Sequence, residues 1–218
     1  MSQNPTPLLR GEALHNAAVV CVFVHGRGQP PELMDEAVIR RLKTSGVAYV
    51  LPRAPGGAWY AARAVDPLTE QSRGQLTASL EHLTAAINDA SGQARPGTPL
   101  LLAGFSQGAC LVLEYALKFG PWSGALASLT GCRVGVATDD RPLSDLAGLP
   151  VYMTAADGDA WIPVPNWAEA AEAMAKARAR LRADFFPGRG HEPSPPEIIV
   201  LDSMLAALAA RRPLWQEA

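Results

Sequence analysis

The sequence predicts an α/β protein in which a mostly parallel sheet lies between two layers of helices. Three observations support this fold class: short apolar runs, amphipathic segments between them, and Gly, Pro or polar residues at the borders. Runs that do not alternate between apolar and polar residues suit strands that are covered on both faces. Strands that alternate with helices need crossover connections, and these produce a three-layer α/β/α sandwich.

Each strand is predicted where the chain is briefly and almost continuously apolar. Five such runs occupy residues 19–24, 47–51, 100–103, 125–129 and 151–154. A weaker sixth strand is predicted over residues 182–186. Between the second and third strands, residues 52–72 are rich in Pro, Gly and aromatic side chains, which indicates a long surface loop of the kind that often carries function.

Helices are predicted where apolar residues recur at intervals of three and four, because this spacing forms one stripe on a helix. Two stripes follow the second and fifth strands and comprise Leu76, Leu80, Leu83 and Ile87, then Trp167, Ala170, Met174, Ala177 and Leu181. A third stripe follows Pro195 and Pro196, which suit the start of a helix, and comprises Ile198, Leu201, Leu205 and Leu208.

Length and charge restrict the class of protein. A chain of 218 residues fits one domain, in which residues 1–17 form an N-terminal arm or an edge hairpin. A formal net charge of −2 gives no reason to expect a nucleic-acid partner. The basic run of Lys176, Arg178, Arg180 and Arg182 is interpreted as the solvated face of a helix.

Targeting and redox signals favour the cytoplasm. No segment reaches the ~20 apolar residues that a membrane span needs, and none resembles a signal peptide. The three cysteines, Cys21, Cys110 and Cys132, have spacings that match neither a zinc site nor a disulfide framework. Buried thiols behave as small apolar side chains, so a reducing compartment is the simplest expectation.

A serine motif follows the third strand. The run from Gly104 to Gly108 reads Gly-Phe-Ser-Gln-Gly and leads into an apolar helical segment. In a strand–turn–helix, the pattern Gly-x-Ser-x-Gly predicts a sharp turn that exposes the hydroxyl of Ser106. Both glycines are needed because side chains there would collide as strand and helix approach each other. An ordinary Gly/Ser turn fits the five residues as well, but the flanking elements favour a nucleophile.

A serine nucleophile needs a base that accepts its proton. Among the four histidines, His191 has the most suggestive position, in a loop between the last strand and the terminal helix. His82 is expected on a surface face of a helix, and His15 lies in the polar N-terminal region.

An acid that orients the base is expected after the strand at residues 151–154, where Asp157 and Asp159 are both candidates. The chain order Ser106, Asp159, His191 matches the order found in the α/β-hydrolase fold. The sequence therefore predicts that fold and this catalytic triad.

Two backbone N–H groups are predicted to stabilise the oxyanion of a tetrahedral intermediate. One belongs to Gln107, directly after the nucleophile. The other is assigned to Arg27, in the glycine-rich loop after the first strand. This loop lacks the glycine–lysine spacing of a nucleotide-binding loop. His25 is then expected to organise the loop rather than act as the base.

These motifs resemble the phospholipase/carboxylesterase family of α/β hydrolases, relatives of the acyl-protein thioesterases. The matching segments are His-Gly-Arg-Gly at 25–28, Trp-Tyr at 59–60, the serine motif, residues 159–163, and Gly-Arg-Gly-His at 188–191. The resemblance spans residues 19–208 and implies a hydrolase of carboxylic esters or thioesters that needs neither cofactor nor metal. Aligning on Ile162 and Pro163 puts Asp159 at the family's acid position, which leaves Asp157 for an Asp-Gly turn with Gly158 at positive φ.

The chain departs from the family pattern beside the acid. Members of the family commonly have His-Gly where Ala155 and Ala156 stand here, and a valine where this chain has Trp161. A tryptophan one turn from the acid is expected to narrow the acyl pocket. Trp59 and Tyr60 are expected to line the groove as well, so short acyl chains are predicted, although each aromatic residue could instead belong to the core.

The function predicted from the sequence is hydrolysis of small acyl esters or thioesters through a covalent acyl-enzyme on Ser106. Alternatives are a lysophospholipase-type enzyme and a dienelactone-type hydrolase, although the latter is expected to have Cys at the nucleophile. From a different class, a non-catalytic ligand-binding relative is an alternative that usually loses a triad residue. Sequence does not decide the natural substrate. Relatives form weak dimers, so a homodimer also stays open.

Overall fold

The computed structural model describes residues 5–215 and contains a seven-stranded sheet with helices on both faces. The strands are β1 (Leu8–Gly11), β2 (Val19–Val24), β3 (Val47–Leu51), β4 (Leu100–Phe105), β5 (Gly124–Leu129), β6 (Pro150–Ala155) and β7 (Arg180–Phe185). The helices are α1 (Pro31–Ala37), α2 (Glu70–Gln93), α3 (Gln107–Phe119), α4 (Val164–Lys176) and α5 (Pro195–Ala209). The predicted α/β architecture is confirmed.

The sheet has the order β1-β3-β2-β4-β5-β6-β7. All neighbouring strands are parallel except β1, which pairs antiparallel with β3 so that Leu8 lies opposite Leu51. The segment predicted as an N-terminal arm or edge hairpin contributes the edge strand β1, and its residues 1–4 lie outside the described part. Because β2, β4, β5, β6 and β7 run in the same direction, the loops after their carboxyl ends meet at one edge of the sheet.

The two faces of the sheet have separate cores. Val20, Val22 and Val24 of β2 pack in the cluster that includes residues of α2, α3 and α4. Cys21 and Phe23 point the other way, into the cluster that includes residues of α1 and α5. Since both faces of β2 are buried, the strand is apolar throughout instead of alternating.

The segment from residue 176 to residue 182 corrects one prediction. Helix α4 ends at Lys176, so Leu181 does not continue its stripe but lies in β7. Arg178 adopts a positive φ of 61°, and the chain then turns into a strand whose Arg180 pairs with Pro150. In the basic run, Lys176 is therefore helical, Arg178 lies in the turn, and Arg180 and Arg182 lie in β7. An edge strand next to solvent accommodates alternate arginines, which the helical interpretation overlooked.

Helix α2 also corrects two expectations. It begins at Glu70 after the cap Thr69, whose side chain accepts the N–H of Ser72, so the long loop ends there. His82, expected on the surface, is buried against the ring of Trp59. In the described residues, every helix is too short or too polar to cross a bilayer.

A buried ion pair that the sequence did not reveal joins α3 to the loop after β5. The Arg133 guanidinium donates to both carboxylate oxygens of Glu114, at 2.7 and 3.1 Å, and to the carbonyl of Pro142. The N–H of Val134 donates to the same carboxylate. The side chains of Arg133 and Glu114 are 4% and 3% exposed, so each charge depends on the other.

Replacing Glu114→Gln should lower the free energy of unfolding by about 3–5 kcal/mol, because Arg133 would remain buried without a countercharge. Urea unfolding followed by tryptophan fluorescence measures the change. The matched control is Glu172→Gln, whose partner Lys176 is solvent-exposed, and its midpoint should stay near that of the wild type. Equal midpoints for the two variants would contradict this role of Glu114.

Candidate active site

The turn between β4 and α3 holds Ser106 in an unusual backbone conformation. Ser106 has φ 55° and ψ −121°, and only six described non-glycine residues have positive φ. The approach of α3 explains the turn, because a Cβ on Gly104 would lie 2.5 Å from the backbone of Gly108. A Cβ on Gly108 would collide with the Val24 carbonyl of the adjacent strand. Strain of this kind is found at functional sites.

The three residues predicted as a triad are in contact. Ser106 Oγ lies 2.8 Å from His191 Nε2, and His191 Nδ1 lies 2.7 Å from Asp159 Oδ2. The three side chains follow β4, β6 and β7, whose carboxyl ends lie at one edge of the sheet. The Asp159 side chain is fully buried, whereas that of His191 is 19% exposed. The histidine is thus partly accessible to solvent, whereas the acid is not.

Asp159 uses both carboxylate oxygens. Oδ1 accepts the N–H groups of Trp161 at 2.7 Å and Ile162 at 2.9 Å, which leaves Oδ2 for His191. Burial raises the pKa of this carboxyl, but the hydrogen bonds from His191, Ile162 and Trp161 outweigh it, so the pKa is lowered overall. An ionised Asp159 accepts the Nδ1–H of His191, and Nε2 is then the ring atom that can accept the proton of Ser106.

Asp157, the other acidic candidate, points elsewhere. Its Oδ1 accepts the N–H of Gly188 at 2.6 Å, which ties the loop after β6 to the loop that contains His191. The expected turn is corrected in one respect, because Gly158 does not have positive φ. Glycine is needed there for space: a Cβ on residue 158 would lie 2.7 Å from the carbonyl oxygen of Arg189.

Arg189 anchors the histidine loop, a role that sequence reasoning missed. Its guanidinium donates to the carbonyls of Gly190 and Glu192 at 2.9 and 2.8 Å, and to Thr130 Oγ1 at 2.8 Å. The side chain is only 7% exposed. It therefore fixes the loop around His191 to the loop after β5. The sequence shows Arg189 between Gly188 and Gly190, but no rule of residue spacing predicts its hydrogen-bond partners.

His25 begins the glycine-rich loop between β2 and α1, residues 25–30, here called the first loop. Its ring contacts backbone groups. Its Nε2 accepts the N–H of Ala54 at 3.0 Å, and its Nδ1 lies 2.7 Å from the carbonyl of Gly26. Burial lowers the pKa of His25, which favours the neutral ring that this pattern requires. Its own carbonyl accepts the indole N–H of Trp59 at 2.8 Å. These contacts match the expected role of a loop organiser.

The two residues predicted to supply the oxyanion donors line the same cavity as Ser106. A Cβ on Gly26 would be 3.2 Å from Ser106 Cβ, so the loop after β2 passes close to the serine. Arg27 follows in that loop, and Gln107 is the first residue of α3, where N–H groups have no acceptor within the helix. The Gln107 side chain binds the long loop, because Oε1 accepts the N–H of Trp59 and Nε2 donates to the carbonyl of Tyr60.

A cavity of about 360 Å³ opens beside the serine. Its lining residues come from the first loop, the long loop, α3 and the acid and histidine loops: Arg27, Gln29, Tyr60, Arg63, Ala64, Ser106, Gln107, Cys110, Trp161, Ile162 and His191. Cys110 stands one turn after Ser106 in α3, a spacing that could have indicated its place. Nothing in the pattern of the long loop indicated Arg63. The volume suits a small organic group.

The aromatic residues that were expected to line the groove divide into two groups. Tyr60 and Trp161 line the cavity, and the Trp161 side chain is largely exposed, with its ring 6.4 Å from that of His191. Trp59 does not line it. This indole is 3% exposed and packs between His25 and His82 in the core. Its hydrogen bond to the His25 carbonyl turns the ring inward, so Trp59 supports the wall from behind.

The cysteines are all free and buried. Cys110 Sγ lies 3.9 Å from Cys132 Sγ beneath the cavity, and Cys21 lies in β2. Among residues 5–215, no three His, Cys, Asp or Glu side chains are grouped as a metal site requires.

Comparison with known proteins adds a family match. The model of the phospholipase/carboxylesterase family matches residues 11–208. An acyl-protein thioesterase 1 homologue from Dictyostelium discoideum is 25% identical over 159 residues, which cover 66% of this chain and 71% of that protein.

Solved structures share the fold. The structure of a phospholipase/carboxylesterase from Dyadobacter fermentans has a TM-score of 0.80 and 24% identity, and the match covers 94% of this chain and 98% of that one. The structure of acyl-protein thioesterase 2 from Zea mays has a TM-score of 0.71 and 18% identity, covering 93% and 98%.

Replacing Gly108→Ala should destabilise the protein by about 1–3 kcal/mol, because the added methyl group overlaps the carbonyls of Val24 and His25. Thermal or urea unfolding measures this effect. Gly74→Ala is the matched control: residue 74 lies inside α2 with open space around it, so alanine should stabilise the helix by up to about 1 kcal/mol. If Gly108→Ala is as stable as the wild type, the neighbouring carbonyls move aside easily and the close contact does not require glycine.

Proposed function

The chain belongs to the phospholipase/carboxylesterase family of hydrolases, and we propose that it cleaves small carboxylic esters or thioesters through an acyl-enzyme on Ser106. The observation that carries this proposal is the continuous hydrogen-bonded chain from Ser106 Oγ to His191 and Asp159, at 2.8 and 2.7 Å. A hydroxyl, an imidazole and a buried carboxylate in this order form the arrangement that activates serine for attack on a carbonyl carbon.

In the acylation step, Ser106 Oγ attacks the substrate carbonyl while its proton passes to His191 Nε2. Asp159 accepts the Nδ1–H and stabilises the imidazolium that forms. The negative charge on the former carbonyl oxygen is stabilised by the backbone N–H groups of Arg27 and Gln107. His191 then gives its proton to the departing alcohol or thiol, and the acyl group stays on Ser106.

In the deacylation step, His191 accepts a proton from water, and the hydroxide attacks the acyl carbonyl. The same donors stabilise the second oxyanion, and the proton on His191 returns to Ser106 Oγ as the acid leaves. Neither step needs a group beyond these residues and water.

The alternatives are less well supported. A ligand-binding relative without catalysis has no use for a buried acid that is held by two backbone N–H groups and accepts the Nδ1–H of His191. A dienelactone-type hydrolase is expected to have cysteine at residue 106. A lysophospholipase-type activity would use the same triad and differ only in substrate. The three cysteines are free and buried, which supports a location in a reducing compartment such as the cytoplasm.

Ser106→Ala should fold like the wild type and lose nearly all hydrolysis of 4-nitrophenyl acetate, because no nucleophile remains. A fluorophosphonate probe should label the wild type and not the variant, and circular dichroism checks the fold. Labelling of equal strength in Ser106→Ala would overturn the assignment of the nucleophile.

Asp159→Asn and Asp157→Asn separate the two acidic candidates. Loss of the acid that orients His191 costs roughly 10⁴-fold in kcat in comparable triads, and we expect a deep loss of this kind for Asp159→Asn alone. Asp157→Asn can keep the bond from Gly188, so its kcat should change little. Side-by-side assays at saturating substrate decide between them. A deep loss in Asp157→Asn with an active Asp159→Asn would transfer the role of the acid to Asp157.

Trp161→Ala should move the preferred acyl length upward, since its ring stands at the mouth of the cavity beside Ile162 and His191. The measurement is kcat/KM for 4-nitrophenyl esters from acetate to decanoate. Trp59→Phe, in the core behind the wall, is the control and should keep the wild-type profile while losing some stability. If Trp161→Ala also keeps that profile, the indole does not limit chain length.

A further inference from the structure

The cavity beside Ser106 has a one-sided charge. Arg27 and Arg63 line it, and no aspartate or glutamate does. The carboxylate of the triad, Asp159, is fully buried and is already bound by three N–H groups. A substrate that enters the cavity therefore meets two guanidinium groups and no exposed negative charge.

Neither arginine is neutralised by a carboxylate in the described part of the chain. The ion pairs among residues 5–215 involve other arginines, such as Arg53 and Arg73 with Glu32 and Asp139. Arg63 donates through its backbone N–H to Asp66, but its guanidinium has no hydrogen-bond or ion-pair partner among these residues. Exposed cations at a surface are ordinary; two that line one cavity without a countercharge give it a positive potential.

Arg27 has a structural task that keeps its charge in place. Its guanidinium donates to the carbonyls of Ala61 and Ala62 in the long loop. These bonds leave the positive charge uncompensated and hold the segment that carries Arg63 against the first loop. Arg63, which is exposed and unbound, is then the arginine that can turn toward a ligand.

The remaining walls of the cavity are mostly apolar. Tyr60, Ala64, Cys110, Ile162 and Trp161 line it. A ligand that uses both kinds of wall has an apolar part beside the reacting carbonyl and an anionic group at the rim. Arginine is well suited to such a group, because its planar fork can donate two hydrogen bonds to a carboxylate or a phosphate.

From this arrangement we propose that the enzyme selects esters or thioesters that carry an anionic group, a carboxylate or a phosphate, which the Arg63 guanidinium binds. The proposal rests on the function proposed above and names its substrate class. Arg63 acts on specificity and does not take part in bond making. Its removal should therefore affect anionic substrates and spare neutral ones.

The test compares esters that differ only in charge. On the acyl side the pair is mono-4-nitrophenyl adipate and 4-nitrophenyl hexanoate, which have acyl chains of equal length ending in a carboxylate or a methyl group. On the alcohol side the pair is 3-acetoxybenzoate and phenyl acetate. In each pair, the ratio of kcat/KM for the anionic ester to that for the neutral ester is measured. The pair that responds shows on which side of the scissile bond the anion lies.

Three variants are compared with the wild type. Arg63→Gln should lower the ratio roughly tenfold or more in one pair, in line with the loss of a charge-assisted hydrogen bond. Arg63→Lys should keep part of the ratio, because the charge remains. Arg41→Gln, an exposed arginine outside the cavity, is the matched control and should keep the wild-type ratio. Raising salt from about 0.05 to about 0.5 M should lower the ratio in the wild type and leave it unchanged in Arg63→Gln.

The two proposals fail in different ways. If all four proteins hydrolyse the neutral esters and the ratio in both pairs is the same in Arg63→Gln as in the wild type, the selection of anionic substrates is wrong and the esterase function stands. If the wild type hydrolyses no ester of either pair, or if Ser106→Ala hydrolyses them equally well, the proposed function itself is wrong.

Discussion

The backbone of α3 passes so close to β2 and β4 that a side chain at residue 104 or 108 would overlap main-chain atoms. This contact forces the sharp turn in which Ser106 has φ 55°. The turn lifts the hydroxyl out of the sheet edge and places the start of α3 behind it. The first N–H groups of a helix lack acceptors and carry partial positive charge. One steric constraint thus supplies both an accessible hydroxyl and a region suited to negative charge.

The remaining parts of the site reach that hydroxyl because neighbouring loops are fastened to each other through side chains. Oδ1 of Asp159 accepts N–H groups of its own loop, and Oδ2 contacts His191. The carboxylate that orients the ring is therefore itself held in place. Asp157 and Arg189 attach the histidine loop to two neighbours, the loop after β6 and Thr130 after β5. Loops at the end of a sheet are otherwise mobile, and a displacement of about 1 Å in such a site is costly for catalysis.

The sequence was informative where local rules govern structure. Apolar runs located the buried strands, and the spacing around Ser106 located the strained turn, since each depends on residues close together in the chain. It failed where partners lie far apart. The ion pair of Glu114 with Arg133 and the inward position of Trp59 come from tertiary contacts that no periodicity records. Leu181 fitted a helical stripe, but pairing of β7 with β6 determined its place.

The part of the cavity wall that the long loop forms is less regular in structure than the turn that holds Ser106. The long loop after β3 contributes Tyr60 and Arg63, yet it has little regular structure of its own. Side chains from other elements hold its backbone: Gln107 binds Trp59 and Tyr60, and Arg27 binds Ala61 and Ala62. Both anchoring residues are also the ones whose backbone N–H groups are proposed to stabilise the oxyanion. The loop proposed to select the substrate is therefore attached to the proposed donors, so a ligand held by this loop would be positioned with respect to both.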